Sequence, residues 1–158
     1  LTLGGLTVEP FPVSHDAADP IGINVFAGND KATVVTDTGV ISDDILRRID
    51  DTTLLVLEAN YDPHMLRFGP YQPFLKQRVA SDEGHLSNEM AAQALLMMKR
   101  PDFMQVILAH RSENNNNAVL VTQTIGKMLV DGGVRIGPEM KLQHGQPNEI
   151  VSIQSVKR

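Results

Sequence analysis

Two short apolar runs constrain the fold of this chain more than any other feature. Residues 53–57 and 104–109 each have the length of a strand, and segments with helical patterning lie between them. A short apolar run of this kind is typical of a strand that is buried on both faces of a sheet. Because such strands alternate with helices here, the pattern indicates an α/β fold.

Further segments complete a mixed sheet. Strands are predicted at residues 1–3, 6–8, 21–26, 31–36, 140–142 and 150–153, and helices at 43–49, 63–68, 74–79, 88 to about 99, and 115–130. Ser42 and Ser87 have side chains that favour the N-cap position of a helix. Hairpins followed by βαβα units predict helices on one face of the sheet, and nothing obvious in the chain remains to cover the other face.

The composition excludes several classes of protein. The 158 residues suffice for one domain, and 42% hydrophobic with 21% charged residues is typical of a globular chain. Cysteine is absent, which excludes disulfides and thiolate metal sites. No apolar run approaches the roughly 20 residues of a membrane span, and a cytoplasmic protein is predicted. The net charge of −5 argues against a generally basic surface for nucleic acid, but not against a local basic groove.

Five titratable residues fall at strand ends or in loops, among small and polar neighbours. They are His15, Asp37, Glu58, His85 and His110. The ends of neighbouring strands meet at one edge of an open α/β sheet, so these side chains are expected to converge there. Imidazole and carboxylate together suit zinc, manganese or iron. The alternative is that each residue only caps an element or lies in a loop.

Seven short segments follow one another along the chain: SHDA at 14–17, TDTG at 36–39, LEANYD at 57–62, GPY at 69–71, LKQR at 75–78, GHLSN at 84–88 and AHRSENN at 109–115. This ordered series resembles the metallo-β-lactamase (MBL) fold hydrolase superfamily, and within it the bacterial WalJ/YycJ (VicX) branch. The resemblance runs from about residue 8 to residue 117 in unbroken order. No single segment is decisive, but the ordered set is specific.

The resemblance implies roles for the five residues. His15 matches a histidine that binds the first of two divalent metal ions, Asp37 the carboxylate that bridges them, and His110 a histidine that binds the second. His85 matches a histidine that lies near the reacting phosphate without binding metal, and Glu58 fits the role of its partner. The implied chemistry is a hydroxide activated by two ions, zinc or manganese, that attacks a phosphodiester. Members of the branch are described as nucleases, and some occur beside a cell-wall two-component signalling system.

One departure from the family pattern is large. The superfamily signature His-x-His-x-Asp-His, which supplies four metal ligands upstream of the segment that His15 matches, is absent from the 158 residues. The chain begins at Leu1, within a predicted strand. We therefore expect residues 1–158 to form a single partial domain, the C-terminal half of an αββα sandwich. Its missing half would be either truncated or on another chain, and the chain alone would be inactive.

Three functions stay open at this point. The first is a phosphodiesterase or nuclease, similar to a DNA exonuclease, with nucleic acid as its substrate. The second is a small-molecule hydrolase of the same fold, such as a lactonase or a cyclic phosphodiesterase. The third is a non-catalytic interaction module linked to cell-wall signalling.

Several polar and aromatic residues have two possible roles. Arg47, Arg48, Lys76 and Arg78 could contact phosphates or could form solvated helix faces. Tyr71 and Phe74 could stack on a base, but core packing is the preferred prediction. The asparagine run at 114–117 is typical of a loop and helix start, and one of its amides could orient His110.

Overall fold

The computed structural model describes residues 1–146 and 149–153 and contains one seven-stranded sheet with helices. In chain order the elements are β1 (Thr2–Leu3), β2 (Leu6–Pro12), β3 (Ile21–Ala27), β4 (Asp30–Val35), α1 (Asp43–Ile49), β5 (Leu54–Glu58), α2 (Pro63–Phe68), α3 (Pro73–Val79), α4 (Asn88–Met97), β6 (Met104–Ala109), α5 (Ala118–Asp131) and β7 (Met140–His144). The strands lie in the order in which they occur in the sequence. Pairing is antiparallel from β1 to β4 and parallel from β4 to β7. The predicted mixed α/β sheet is confirmed.

The core lies between one face of this sheet and three helices. Helices α1, α4 and α5 bury apolar side chains against buried residues of β4, β5, β6 and β7. On the opposite face, Ile21 and Val34 remain 50% and 39% exposed. Val34 pairs with Val56 of β5 and with Ile23 of β3, so this second face is also apolar across the central strands. The helices therefore cover one face of the sheet, as the sequence predicts.

Polar caps begin the helices as the sequence predicts, whereas two helix boundaries, the start of α5 and the end of α4, differ by two or more residues. Side-chain oxygens cap four helices: Ser42 for α1, Asp62 for α2, Ser87 for α4 and Asn117 for α5. The asparagine side chain at 117 begins α5 at Ala118, three residues later than predicted. Helix α4 ends at Met97, and the guanidinium of Arg100 donates to two of its last carbonyls.

The predicted strand at 150–153 is wrong. Residues 149–153 have no strand structure, and Ile150 is 96% exposed. The side chain of Gln143 in β7 donates a hydrogen bond to the backbone oxygen of Ser152, but a bond from a side chain is not part of a strand ladder. Within the described part of the chain, no helix is long and apolar enough to cross a bilayer.

Candidate metal centre

The candidate residues meet at the edge of the sheet where the parallel strands end. Asp37 lies two residues beyond β4, Glu58 is the last residue of β5, and His110 directly follows β6. His15 follows β2, and His85 lies two residues before the N-cap of α4. A pocket of about 220 Å³ forms there, and its lining includes all of the five except Glu58, which lies buried beneath it. The expected convergence is therefore seen, because neighbouring parallel strands end at the same edge.

Asp37 lies between two imidazoles. Its Oδ1 is 3.8 Å from Nε2 of His15 and 3.6 Å from Nε2 of His110. The ring of His85 lies between the same two histidines, with centroids 5.0 Å from His15 and 5.1 Å from His110. Three imidazoles and a carboxylate thus share one small volume.

Asp37 and His110 both have a backbone conformation that residues other than glycine rarely adopt. Their φ angles are +55° and +54°, in the left-handed region. Such a conformation costs free energy in a residue other than glycine, and strained residues cluster at functional sites. At both positions the turn directly after a strand aims the side chain into the pocket.

Glu58 is a fully buried carboxylate with four hydrogen bonds. Its Oε1 accepts from Nδ1 of both His85 and His110, each at 2.7 Å. Its Oε2 accepts from the backbone nitrogens of Thr38 at 3.1 Å and Leu86 at 3.3 Å. Burial alone would raise the pKa of Glu58, but the bonds from the two histidines outweigh it and lower that pKa. The carboxylate is therefore ionised at neutral pH.

The hydrogen bond to Glu58 changes the titration of one histidine. It raises the pKa of His110, and burial only partly opposes this effect. The resemblance pairs Glu58 with His85 alone. The second bond, to His110, joins residues at the ends of the adjacent strands β5 and β6, but the strand pattern does not give the direction of either side chain.

His15 is oriented by a backbone oxygen. Its Nδ1 lies 3.0 Å from the carbonyl oxygen of Gly84, which can only accept a hydrogen bond, so Nδ1 carries the proton. Gly84 lies so close to α3 that a Cβ atom would be 2.3 Å from the carbonyl oxygens of Arg78 and Val79. A glycine is needed there for the loop to bring its carbonyl to His15.

The three histidines therefore share one arrangement. Each engages Nδ1 with an acceptor of the protein, which leaves the Nε2 lone pair of the neutral ring available. Nε2 of His15 and of His110 faces Asp37. Metal-binding histidines are held in this way, because the bond at one nitrogen fixes the tautomer that presents the other. Together with a carboxylate these donors fit a borderline divalent ion such as zinc or manganese.

Two overlapping triads have ligand atoms within 4.8 Å of one another. They are His15, Asp37 and His85, and Glu58, His85 and His110. In the second triad, Nδ1 of His85 and Nδ1 of His110 already donate hydrogen bonds to Glu58. A metal ion bound there would have to displace both N–H groups. In the first triad, the geometry accommodates His85 as a ligand as well as a catalytic group.

Asparagines support the loop that carries His110, but not in the predicted way. The amide of Asn60 donates to the carbonyl oxygen of His110 at 2.8 Å. From the asparagine run, Asn116 instead donates to the carbonyl oxygens of Ala59 and Asn60 and to the side chain of Asn88. The run thus holds His110 indirectly, through Asn60.

Some of the charged and aromatic candidates lie at the pocket, and the others lie elsewhere on the molecule. Arg47 and Arg48 pair with Asp44 within α1. Arg78 lines the pocket and pairs with Asp16, the neighbour of His15, which the sequence did not indicate. The predicted core packing of Phe74 is wrong, since its side chain is 70% exposed, whereas Tyr71 is half-buried beside a small cluster of its own.

Solved structures with this architecture are metallo-β-lactamase fold proteins. The crystal structure of YhfI from Bacillus subtilis superposes with a TM-score of 0.62 over 90% of this chain and 48% of YhfI, at 15% identity. Zinc-bound PqqB from Methylobacterium extorquens gives 0.58 over 90% of this chain and 46% of PqqB, at 18% identity. The fold predicted from the resemblance is thereby confirmed.

The family follows from the sequence comparison. The model described as beta-lactamase superfamily domain matches residues 1–110, and the chain belongs to this family. The chain is 36% identical over 155 residues to the exodeoxyribonuclease YycJ of Bacillus anthracis, and this match covers 98% of the chain and 59% of YycJ. It is 33% identical over 147 residues to the exodeoxyribonuclease WalJ of Streptococcus pneumoniae, covering 93% of the chain and 55% of WalJ. The chain thus spans less than two thirds of these relatives, and the predicted likeness to the WalJ/YycJ branch is confirmed.

Proposed function

We propose that this chain is the C-terminal part of a metal-dependent nuclease of the metallo-β-lactamase fold, which hydrolyses DNA from its ends. The observation that carries the proposal is the common orientation of three imidazoles around Asp37, each with Nδ1 held and Nε2 available. The names of the two relatives, both exodeoxyribonucleases, favour DNA as the substrate. With DNA as the substrate, we also propose a cytoplasmic location.

In this proposal His15, Asp37 and His110 contribute ligands to two divalent ions, zinc or manganese. When bound, such ions would polarise a phosphoryl group and make water more acidic. The protein contributes the orientation of the two histidine donors, which the carbonyl of Gly84 fixes for His15 and Glu58 fixes for His110. The remaining ligands would come from outside residues 1–158.

His85 and Glu58 would form the catalytic pair. Because Glu58 accepts the Nδ1 proton of His85, Nε2 is the atom of His85 that can exchange a proton with a substrate. A protonated His85 would donate from Nε2 to the leaving oxygen, and the carboxylate of Glu58 would stabilise the imidazolium. Glu58 itself keeps its charge throughout, since it is buried among four donors.

We further propose that residues 1–158 form one partial domain. The chain spans 59% and 55% of the two relatives, so a substantial part of each has no counterpart here. The sheet face that carries Ile21 and Val34 is apolar and partly exposed, as expected of a surface that packs on a second layer. An upstream half would cover this face and supply the remaining metal ligands together.

The test is an assay of the full-length protein after loading with manganese or zinc. Linear duplex DNA, bis(p-nitrophenyl) phosphate and a panel of lactones are offered in parallel. Release of nucleotides from DNA ends, abolished by a chelator, would support the proposal. Turnover of lactones without cleavage of DNA would instead identify a small-molecule hydrolase, and no turnover by the metal-loaded protein would identify an interaction module.

A further inference from the structure

The segment from residue 63 to residue 79 differs in charge from the rest of the molecule. This segment, here called the α2–α3 arm, contains three of the 14 lysines and arginines and none of the 19 aspartates and glutamates. The remaining residues have 11 basic and 19 acidic side chains, a net charge of −8. A local basic segment on an acidic protein is an attractive surface for a polyanion.

The arm also carries the two exposed aromatic side chains of the described residues. Phe68, the last residue of α2, is 67% exposed, and Phe74 in α3 is 70% exposed. The guanidinium of Arg67 lies over the ring of Phe68, 5.4 Å from its centroid. Exposed rings beside cations are the features with which proteins stack bases and bind the backbone of a single strand.

The C-terminal end of the arm lies at the pocket of the candidate metal centre. Leu75, Arg78 and Val79 of α3 line that pocket. Phe74 precedes Arg78 by four residues, so their side chains are neighbours on the surface of the helix. The amino group of Lys76 donates to the carbonyl oxygen of Arg67, 2.9 Å away, which joins α3 to the end of α2. A path of cations and rings therefore leads from the pocket along α3 to Phe68.

The arm is held in place by packing of its own. Leu66 and Val79 are buried with Tyr61 in a small cluster, against which Tyr71 and Leu75 also pack. A surface that is already ordered binds a ligand at a lower entropic cost. The exposure of Phe68 and Phe74 is thus a property of a packed element.

We propose that the α2–α3 arm is the docking surface for an unpaired DNA strand that leads to the metal centre. Bases stack on Phe74 and Phe68, and phosphates contact Arg78, Lys76 and Arg67. This inference rests on the proposed function for its substrate class. It adds the requirement that the DNA end be unpaired, because the bases of a fully paired end would not stack on the two rings.

The experiment compares two labelled DNA duplexes, one blunt and one with a single-stranded tail of about ten nucleotides. Their affinities for the metal-loaded full-length protein are measured by fluorescence anisotropy, with calcium in place of the catalytic ion. Phe74→Leu keeps an apolar side chain but removes the ring. It should weaken binding of the tailed duplex by about 5-fold to 150-fold, the range expected for loss of one stacked base, with little change for the blunt duplex. Phe74→Trp should retain tight binding.

Two further variants sharpen the test. Arg67→Gln should reduce the slope of log affinity against log salt by about one, as expected when one phosphate contact is lost. Met97→Ala is the control, because Met97 is 68% exposed at the opposite end of α4 from His85 and should affect neither duplex.

Two outcomes would overturn the inference. One is equal binding of the tailed duplex by Phe74→Leu and the unaltered protein. The other is loss of self-association in Phe74→Leu, seen by size-exclusion chromatography, with DNA affinity unchanged, which would make the arm a protein interface. The proposed function is judged separately, by hydrolysis of DNA and bis(p-nitrophenyl) phosphate by the unaltered protein, so its failure would not be mistaken for failure of the arm.

Discussion

Replacing Glu58 by glutamine tests whether this carboxylate orients the imidazoles of His85 and His110. Glutamine has nearly the same shape, but one of its two terminal atoms is a donor instead of an acceptor. With the amide oxygen toward His85 and His110, the amide nitrogen faces the N–H groups of Thr38 and Leu86. In the other orientation the amide nitrogen faces the two imidazoles. In the first orientation two of the four hydrogen bonds at Glu58 are lost, and in the second they re-form only if the imidazoles change tautomer.

The size of the effect follows from the burial of the site. Glu58 is 0% exposed, so water does not replace the lost bonds. Each hydrogen bond to a charged group contributes about 1.5–3 kcal/mol, so Glu58→Gln should lower the free energy of unfolding by about 3–6 kcal/mol. That is a large part of the roughly 5–15 kcal/mol that stabilises a typical domain. Where the amide donates to Nδ1 of a histidine, the ring proton moves to Nε2 and blocks its lone pair, so metal affinity should fall about 10-fold to 100-fold.

Two measurements on the full-length protein check this prediction. Urea denaturation of the metal-free protein gives the change in stability, and competition with a chelator gives the affinity for zinc. Glu9→Gln is the control, because Glu9 is an exposed carboxylate on β2 and its replacement should change neither value. If Glu58→Gln matched the unaltered protein in both measurements, Glu58 would not orient the histidines.

Three further predictions concern His85, pH and the exposed sheet face. His85→Ala in the full-length enzyme should lower turnover by about 10²-fold to 10⁴-fold with metal content unchanged by elemental analysis, whereas loss of metal would make His85 a ligand. In the metal-free protein, the lowered pKa of Glu58 stabilises the fold above the ordinary glutamate pKa, and the raised pKa of His110 stabilises it below the ordinary histidine pKa. Stability from this pair should therefore be greatest between roughly pH 4.3 and 6.5 and fall on either side, and urea titrations in EDTA should show a flatter profile for Glu58→Gln. Finally, residues 1–158 produced alone should self-associate through the face of Ile21 and Val34 and lack activity, and adding the upstream half should abolish the self-association and restore activity. A monomeric, metal-loaded and active chain on size-exclusion chromatography would contradict the half-domain proposal.

The sheet was predictable because its signals are local. The apolar runs at 53–57 and 104–109 form β5 and β6, with β6 mostly buried and residues 53–57 including half-buried positions, and serine caps begin α1 and α4 where expected. The strand predicted at 150–153 fails because an apolar segment also needs an adjacent strand with matching register, and β7 does not provide one to residues 149–153. Pairing of that kind is a property of the folded sheet and not of the segment.

The residues that form the site were predictable from the sequence, but some of the hydrogen bonds and ion pairs between them were not. Strand ends identify Asp37, Glu58 and His110, since parallel strands bring their ends together. The second bond of Glu58 and the pairing of Asp16 with Arg78 depend on side-chain directions that loops determine. Phe74 was assigned to the core because it is apolar, and its exposure shows that residue type alone does not separate packing from surface use.

The sharing of one carboxylate by two histidines has a mechanistic consequence for the proposed enzyme. His110 would hold metal and His85 would move a proton, yet both donate Nδ1–H to the same Oε1 of Glu58. An oxygen that already accepts one hydrogen bond is a weaker acceptor for a second. Metal binding would withdraw electrons from the His110 ring, so it would strengthen the hydrogen bond from His110 to Glu58 and weaken the one from His85 to Glu58. The two functions could therefore not be tuned independently while Glu58 connects them.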